Sequence, residues 1–441
     1  MKMPKLFYPF FVIWAFTAGP ASSETNSELE NIVVQINSLQ KKAEELAPDL
    51  KNAQALDSQK SAESYSRLTS HFPNAALKIK KEKDFFEERT AQLRALGIVP
   101  AESSWGINYE WTLINFAQID RTRKSFSEQD RAELDAQVRK KEFPVSFNTY
   151  FLNFLLAKYK YAAIENSLKK AETGKKEAQL GFDLGQKTKI DVLRSEANAV
   201  SLSSKKTSYI DEEQTARSRL LEFSGLGTAD LVFLDNLDEQ KVFGLIDLLS
   251  SVLARKEKNL LARSPQFQML MMDEKINRLA LSEMTRLEYP ELVIQGSYLS
   301  TGETFNQSLH NPIRSHTVAL VLNIPLFSGG SFASTHFEKY FARKQIEYTV
   351  NRQKLELENT LNNTLIKIEA LEKLVASLSL NVSQFEELYR LTEKSYRLGK
   401  SSLFELLDVQ DDLLEAKISL AQNKIQFYSL SQNYLWQAGL Q

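Results

Sequence analysis

Residues Ser395–Asp412 read SYRLGKSSLFELLDVQDD, and a similar stretch, LGFDLGQKTKIDVLRSEA, occupies Leu180–Ala197. In each stretch a helix-forming segment runs to a glycine, and a second helix-forming segment follows after a few polar residues. Gly185 and Gly399 are 214 residues apart, close to half of the 441-residue chain. Because glycine adopts a positive φ at a helix end without strain, each stretch predicts a turn between two helices. The sequence therefore predicts the same helical hairpin turn twice.

The similarity between the two halves extends beyond these turns. RLLEFSGL at 219–226 matches NYLWQAGL at 433–440 with the same spacing, and FPNAALKI at 72–79 matches YPELVIQG at 289–296 with a spacing of 217. Nearly constant spacing over such a length predicts two tandem structural repeats. We divide the chain into a signal peptide at 1–23, a first repeat at 24–226, an inter-repeat linker at 227–262 and a second repeat at 263–441.

Composition argues against several kinds of site. With 55 basic and 56 acidic residues the net charge is −1, without the basic excess typical of nucleic-acid-binding proteins. The chain contains no cysteine, which excludes disulfides, thiolate metal sites and a cysteine nucleophile. The sequence has no HExxH, GxSxG or GxGxxG motif. We expect no enzymatic activity, no cofactor, no bound metal and no nucleic-acid partner.

The first residues are typical of a secretory signal. Lys2 and Lys5 precede an apolar run at Phe7–Phe16, and small residues follow at Ala21–Ser23. The apolar run is short for a membrane span, which needs about 20 residues. We therefore expect cleavage and export of the mature chain.

The second repeat contains a very long predicted helix. No glycine or proline lies between Ser331 and Leu398. Residues of a mainly apolar set within this segment recur in alternating steps of four and three, as in a coiled coil, at Leu357, Leu361, Thr364, Ile368, Leu371, Val375, Leu378, Val382 and Phe385. Each repeat is predicted to contain a helix, two strands, a very long helix and a final helix.

Alternation with a period of two predicts the strands. Apolar residues recur at every second position from Trp105 to Leu113 and from Val318 to Leu326. We predict strands near 73–83 and 104–115 in the first repeat, and near 290–300 and 316–327 in the second. Such alternation is typical of lipid-facing barrel strands, and equally of half-buried strands in a soluble sandwich.

The number of strands limits how they could form a membrane barrel. Four strands are too few for a membrane barrel, which uses at least about eight. An open sheet leaves unpaired edges that lipid does not tolerate. If these strands span a membrane, several chains must share one barrel.

Together these features resemble the outer-membrane efflux protein family typified by TolC. The resemblance rests on Tyr289-Pro290 at a strand start, IPLFSGG at Ile324–Gly330, and YRLGKSSLFELLDVQ at Tyr396–Gln410. It implies a homotrimer with one 12-stranded β-barrel, four strands from each chain, in the outer membrane of a Gram-negative-type bacterium. It implies a periplasmic α-helical barrel of coiled-coil hairpins that docks on an adaptor protein and an inner-membrane pump. The linker would form an equatorial region of that cylinder.

The resemblance also assigns roles to particular residues. Gly185 and Gly399, with Leu184 and Leu398, would form periplasmic tip turns that contact the adaptor. The strand residues that it would place against lipid are Ile107, Tyr109, Trp111, Leu320, Leu322 and Ile324.

A gate is implied near the tips. Glu405 and Asp408 would form an acidic constriction, where carboxylates from three chains would attract cations. Tyr396 and Asp191 match two residues that hold the mouth of the family's channels shut. The family's third residue is an arginine, and Ser401 stands there; Lys400 and Lys189 are candidate substitutes, although lysine lacks the bidentate geometry of arginine.

Function follows as an expectation. The chain is expected to be the exit duct of a tripartite efflux or type I secretion system, conducting substrates passively. The alternative is a secreted or periplasmic helical scaffold or adhesin without channel activity, which would purify without detergent.

Overall fold

A computed structural model of the chain describes residues 23–81, 88–96, 103–234, 239–250, 261–302, 304–310, 312–326 and 331–439. Nearly all of the predicted signal peptide lies outside the described residues. So do parts of the predicted linker, at 235–238 and 251–260, and the glycine pair that ends IPLFSGG.

Helices account for most of the described chain. They are α1 (Ser23–Leu46), α2 (Pro48–Thr69), α3 (Glu88–Ala95), α4 (Phe116–Asp183), α5 (Lys189–Ser224), α6 (Glu239–Ser250), α7 (Pro265–Arg286), α8 (Phe305–His310), α9 (Ser331–Arg397) and α10 (Leu403–Gln437). Short 3₁₀ helices lie at Thr228–Leu234 and Leu261–Arg263. The strands are β1 (Asn74–Lys81), β2 (Ser103–Ile114), β3 (Glu291–Gly302) and β4 (Ile313–Asn323).

The order of elements confirms the predicted tandem repeats. In the first repeat α2, β1, β2, α4 and α5 follow one another, and α7, β3, β4, α9 and α10 follow in the same order in the second. The final helix of each repeat is followed by a glycine with φ of 68°, at Gly225 and Gly439. The predicted fold class, mostly helical with a small β part, is therefore correct.

The chain divides into two compact units. The first comprises the described parts of Met1–Ala53, Ala136–Gln268 and Leu355–Gln441, and the second comprises Gln54–Asp135 and Met269–Lys354. We describe each unit by itself.

The first unit is built around an aromatic stripe on α4. Phe147, Phe151 and Phe154 recur at helical spacing and are each at most 1% exposed. They belong to a core that includes Ile36 of α1 and Ile425 of α10. Full burial of one such side chain contributes about 1.5–3 kcal/mol, so the three phenylalanines together make a large contribution to the stability of the unit.

The predicted coiled-coil seam of α9 is also buried in the first unit. Leu357, Leu361 and Ile368 are at most 9% exposed and pack with Tyr434 of α10. Val382 belongs to a second cluster along the same helix. The heptad positions read from the sequence are thus the positions that α9 buries.

The second unit contains a four-stranded antiparallel sheet in the order β1-β2-β3-β4, within the described residues. Beside the sheet, the start of α4 is tied to α7 through Asp120, whose side chain is 1% exposed. The Asp120 carboxylate accepts hydrogen bonds from Ser282 Oγ at 2.5 Å and from an Arg286 guanidinium nitrogen at 3.1 Å. A buried carboxylate is tolerated because it is paired in this way.

One predicted strand end was wrong. The strand expected near 316–327 runs from Ile313 to Asn323, so Ile324 lies beyond it. Pro325 has no amide hydrogen and restricts the residue before it, which explains why pairing stops there. Ile324 is nevertheless 50% exposed.

Candidate functional site

The first hairpin turn is closed by backbone hydrogen bonds around Gly185. Gly185 has φ of 74°, its N–H donates to Phe182 O at 2.9 Å, and Gln186 N–H donates to Gly181 O at 2.7 Å. This is the Schellman arrangement, which satisfies the last carbonyls of α4 and requires a left-handed residue at the reversal.

The second turn has the same bonds 214 residues later. Gly399 has φ of 73°, its N–H donates to Tyr396 O at 2.9 Å, and Lys400 N–H donates to Ser395 O at 2.8 Å. A Cβ at Gly185 or Gly399 would meet no atom within 4 Å, so the backbone conformation alone favours glycine.

Leu184 and Leu398 stand at the ends of the hairpins. Their side chains are 72% and 70% exposed. Side chains this exposed contribute little to packing within the chain.

A capping box begins the helix after each turn. The Thr188 hydroxyl oxygen accepts from Asp191 N, and the Asp191 carboxylate accepts from Thr188 N at 3.0 Å. Ser402 and Glu405 repeat the arrangement at α10, where the Glu405 carboxylate accepts from Ser402 N at 3.1 Å. Each pair satisfies two amide hydrogens that a helix start leaves free.

The capping box accounts for the charge state of Asp191. Hydrogen bonds from the backbone and the hydroxyl of Thr188 hold the pKa of the Asp191 carboxyl below its usual range. Asp191 and Glu405, which the resemblance assigns to the latch and the constriction, therefore also stabilise the starts of their own helices.

The second predicted constriction residue, Asp408, is exposed on α10, one turn after the cap. Asp411 lies a further turn along and is half-buried. Burial raises the pKa of the Asp411 carboxyl; the Lys205 ammonium opposes this shift, and Glu415 and Asp408 add to it.

Tyr396, the other predicted latch residue, has a partner that the sequence did not suggest. The Lys187 ammonium donates to Tyr396 Oη and lies 5.0 Å from the centre of its ring. Lys189, a candidate substitute for the missing arginine, lies over Phe182 of its own hairpin at 5.6 Å. Lys187 stands at the repeat position of Ser401, which is the signal that could have found it.

Apart from Ile324, which lies beyond β4, the predicted membrane-facing residues share one face of the sheet. Paired residues of antiparallel strands point to the same side. Leu77, Ile107, Tyr298 and His316 form one row across the sheet, and Trp111, Ile294 and Leu320 form another. Exposed fractions on this face are 41% for Ile107, 40% for Trp111, 66% for Leu320 and 59% for Leu322.

Tyr109 lies on the same face but is half-buried. Its hydroxyl is 2.9 Å from His316 Nε2, and its ring covers Gly296, where a Cβ would come within 2.1 Å of a ring carbon. The aromatic side chain thus fills the gap that glycine leaves in β3.

The opposite face of the sheet is polar. Asn108, Ser297 and Thr317 form one of its rows, and Glu110 pairs with Gln295 in the next. Ser297 and Thr317 join their hydroxyls at 2.9 Å. The sheet therefore has one apolar and one polar face.

Among the residues that the structure describes, no cluster of histidine and acidic side chains is arranged to hold a metal ion. Within the same residues, none of the helices has the length and apolar character needed to cross a membrane.

One family model matches the second part of the chain. Residues 258–433 match the sequence model described as outer membrane efflux protein. No curated protein sequence matches the chain as a relative.

Solved structures match over nearly the whole chain. The Campylobacter jejuni CmeC outer membrane channel has a TM-score of 0.75 and 13% identity, covering 100% of this chain and 93% of that one. The Vibrio cholerae outer membrane protein VceC has a TM-score of 0.70 and 13% identity, covering 92% of this chain and 96% of that one. The open state of the Neisseria gonorrhoeae MtrE outer membrane channel has a TM-score of 0.67 and 15% identity, covering 92% and 89%.

At these identities the likeness to solved structures concerns the fold alone, and the sequence model covers the second repeat. The two findings agree with each other and with the duplicated turns, the capping boxes and the two-faced sheet described above. Residues 258–433 are therefore similar to the outer membrane efflux protein family, and the chain as a whole has the fold of the solved structures named above.

Proposed function

We propose that the chain is one subunit of a trimeric exit duct in the outer membrane, which passively conducts substrates delivered by an inner-membrane pump and a periplasmic adaptor. The observation that carries this proposal is the exposed apolar face of a sheet whose edges are open. Val318, Leu320 and Leu322 are 59–66% exposed on β4, and β1 and β4 each pair on one side only within the described residues. Monomeric soluble proteins rarely leave such a surface uncovered.

The open edges are suited to copies of the same chain. The four strands alternate in direction, so β1 and β4 run antiparallel to each other. Placing β4 of one copy beside β1 of the next continues the alternation and leaves no unpaired edge. Resemblance to the outer membrane efflux protein family favours three copies, which together supply enough strands for a membrane barrel.

The helices of the first unit also support assembly. α9 buries one seam within the chain, and a second set of apolar residues on the same helix lies outside this seam. The six members of this set are between 43% and 63% exposed, at Leu355, Ile366, Leu374, Leu380, Leu388 and Leu391. We assign the contact that would cover these exposed residues to the neighbouring copy.

Detergent extraction and ion-conductance measurements test whether the protein forms a duct. The protein expressed with its signal should require detergent for release from outer membranes, run as a trimer and conduct ions in planar bilayers. A monomer that is soluble without detergent and forms no pores would instead support the alternative, a helical scaffold or adhesin. The proposal includes export of small molecules and of proteins, because the residues described serve an exit duct in either role.

We also propose that Asp408, with Glu405, attracts cations at the narrow entrance of the duct. Asp408 is exposed and does not take part in the capping box. Asp408→Asn should weaken block by divalent cations while leaving the helix start intact. Glu405→Gln is the matched variant, because glutamine retains the capping bond. Unchanged block in the double variant would exclude an acidic constriction here.

The exposed tips complete the proposal. We propose that the adaptor binds and covers the exposed side chains of Leu184 and Leu398. Replacing both with aspartate should abolish adaptor binding without altering trimer formation, and retained binding would place the adaptor contact elsewhere.

A further inference from the structure

The connection between β3 and β4 folds back onto the apolar face of the sheet, where α8 contacts both β3 and β2. The Trp105 indole N–H and the Ser300 hydroxyl both donate to Ser308 O, at 3.1 and 2.7 Å. Trp105 and Ser300 are paired on the apolar face, so α8 lies on that face. This end of the sheet is the one away from the long helices, because α7 ends and α4 begins at the other.

The position of α8 is fixed by its own sequence. Gly302 has no side chain, and a Cβ there would come within 2.5 Å of Ser308 N, so glycine allows the helix to touch β3. Thr304 and Gln307 form a capping box, in which Gln307 N donates to Thr304 Oγ1 at 3.2 Å and Thr304 N donates to Gln307 Oε1 at 3.3 Å. The short helix is therefore held on the face.

α8 turns apolar side chains away from the sheet. Phe305 and Leu309 are 46% and 47% exposed, whereas Ser308 is fully buried. Because Phe305 and Leu309 are four residues apart, they lie on the same side of the helix. In water these side chains would stay hydrated at a free-energy cost, and burial in lipid would remove that cost.

Cationic side chains stand on the strands at either side of α8. Arg314 on β4 lies in the same row of the apolar face as Trp105, and Lys81 on β1 lies one row nearer the end of the sheet, opposite Ser103. Both cationic side chains are exposed. In the described strands, no acidic residue occupies this face between the row of Lys81 and that of His316. The strands therefore make this end of the apolar face positively charged.

Three kinds of side chain follow one another along the apolar face. Beyond the cations come aromatic rings, and the ring centres of Trp105 and Tyr298 are 5.8 Å apart. Beyond the rings come exposed aliphatic residues, Leu320 and Leu322. A lipid leaflet has the same order, with charged headgroups outermost, an interfacial region that favours tryptophan and tyrosine next, and hydrocarbon inside. The face thus matches a leaflet through its depth.

We propose that this end of the apolar face binds a phosphate-bearing lipid headgroup of the outer leaflet. Arg314 and Lys81 donate to phosphate oxygens, and Phe305 and Leu309 enter the boundary between headgroups and acyl chains. The inference rests on the proposed function for the orientation of the sheet in the membrane. Cations on edge strands also prevent unwanted strand pairing, but that role requires no preference for phosphate.

Lipid binding by the detergent-solubilised full chain is the direct measurement. Native mass spectrometry compares lipid A, a glycolipid with two phosphate groups, with lipid A from which both phosphates have been removed. We expect the phosphorylated form to bind at least about tenfold more tightly, because each cation near an anionic headgroup favours binding. The Arg314→Gln, Lys81→Gln double variant should lose this preference.

Lys78→Gln is the matched control. Lys78 is exposed on the same strand as Lys81, but it pairs with Gly106 on the polar face. Its variant removes the same charge and should keep the preference for the phosphorylated lipid. If Lys81→Gln and Lys78→Gln weakened binding equally, net charge would explain the attraction and the inference would be overturned.

Inorganic phosphate distinguishes a lipid site from a site for the free anion. At the same phosphate concentration it should not displace lipid A, because it lacks the acyl chains that Phe305 and Leu309 contact in the proposed site. Full displacement by inorganic phosphate would overturn the assignment to lipid.

The depth of α8 gives an independent readout. Since the chain contains no cysteine, Leu309→Cys carries a single nitroxide label, here in vesicles of phosphatidylcholine and lipid A. Oxygen, which concentrates in lipid, should relax this label more than a water-soluble nickel complex does. A label at Thr317→Cys, on the polar face, should show the reverse. Equal access of the nickel complex to both positions would place α8 in water and overturn the inference.

The outcomes separate the inference from the proposed function. A protein that conducts ions but binds both forms of lipid A equally would overturn the inference and leave the duct intact. A protein that forms no pore but keeps the preference through Arg314 and Lys81 would overturn the duct alone. Circular dichroism identifies any variant that fails to fold, and the comparison of the two lipids on the unmodified protein needs no variant.

Discussion

The core of the first unit and the sheet of the second place the same kind of side chain in opposite environments. Phe147, Phe151 and Phe154 are at most 1% exposed, whereas Leu320 and Val318 are 66% and 62% exposed. Both sets follow the period of their element, 3.6 for the helix and 2 for the strand. Periodicity therefore identifies which side of an element is apolar, but not whether the chain itself covers that side.

What covers each side determines how a substitution acts. The core is completed within one chain, so a defect there lowers the stability of each subunit. The apolar face of the sheet is completed from outside, by lipid in the proposed duct, so a defect there affects insertion and assembly. Comparing the same measurement in the two regions tests this division.

The largest expected effect lies in the core. Phe154→Ala should reduce the free energy of unfolding by about 3–5 kcal/mol, because it leaves a cavity among fully buried neighbours. Leu320→Ala, on the exposed face of the sheet, is the matched substitution and should change unfolding of the detergent-solubilised protein far less. Thermal and denaturant unfolding followed by circular dichroism measure both. Equal losses at the two positions would contradict the division into a closed core and an open face.

When membrane insertion is measured instead of unfolding, a charged residue on the apolar face of the sheet should have a large effect. Leu320→Lys should weaken insertion into lipid by about 2–4 kcal/mol, the cost of an exposed lysine near the middle of a membrane barrel. The readout is the fraction of protein that folds into vesicles.

The neighbouring position supplies the control for this charge. Ala319 pairs with Gln295 on the polar face of the same strand. Ala319→Lys should insert nearly as well as the unmodified protein, since in the proposed duct its side chain would point away from lipid. If both lysines were tolerated equally, the apolar face would not meet lipid.

The sequence sufficed to predict the parts of the fold that depend on periodicity. The heptad of α9 identified Leu357, Leu361 and Ile368 as buried, and alternation identified the apolar face of β2 and β4. The full length of α4 was harder to predict from the sequence, because Pro144 lies inside the helix. The helix continues through Pro144 because Phe143, Val145 and Phe147 are buried around it, so tertiary packing outweighs the local preference.

The backbone turns of the candidate site could be predicted from the sequence, but the side-chain contacts between the two hairpins could not. Glycine in a repeated motif predicted both turns. The role of Asp191 and Glu405 in capping was available from the spacing to Thr188 and Ser402 and was missed. The contact between Lys187 and Tyr396 joins residues 209 apart, and no local pattern predicts which cation reaches a distant ring.

Ionisation of a buried tyrosine should have an intermediate effect on the free energy of unfolding. Tyr428 is 3% exposed, and burial raises the pKa of its hydroxyl to about 12, although the hydrogen bond from Asn148 opposes the shift. In the unfolded chain tyrosine ionises near pH 10. The stabilisation is therefore complete below about pH 10 and is lost as pH rises through 12.

This loss should amount to about 2–3 kcal/mol, at 1.36 kcal/mol for each unit of pKa difference. Tyr428→Phe should remove that part of the alkaline decline in unfolding free energy between pH 9 and 12, and should cost a hydrogen bond at neutral pH. If the alkaline decline were identical in both proteins, Tyr428 would not be shielded from water as the core requires.

The smallest effect belongs to the hairpin ends, which are exposed like the sheet but stabilised by polar contacts of their own. Ser402→Ala removes the hydroxyl that accepts from Glu405 N at 3.2 Å and should cost about 1 kcal/mol. Because the cap acts locally, hydrogen exchange at the first turn of α10 should accelerate about fivefold, while the unfolding temperature of the core changes little. Ser402→Thr retains the acceptor and serves as the control. Thr188→Ala should produce the same acceleration at α5, since the two turns share their bonds; an effect in one repeat only would mean that the equivalent caps do not stabilise their helices equally.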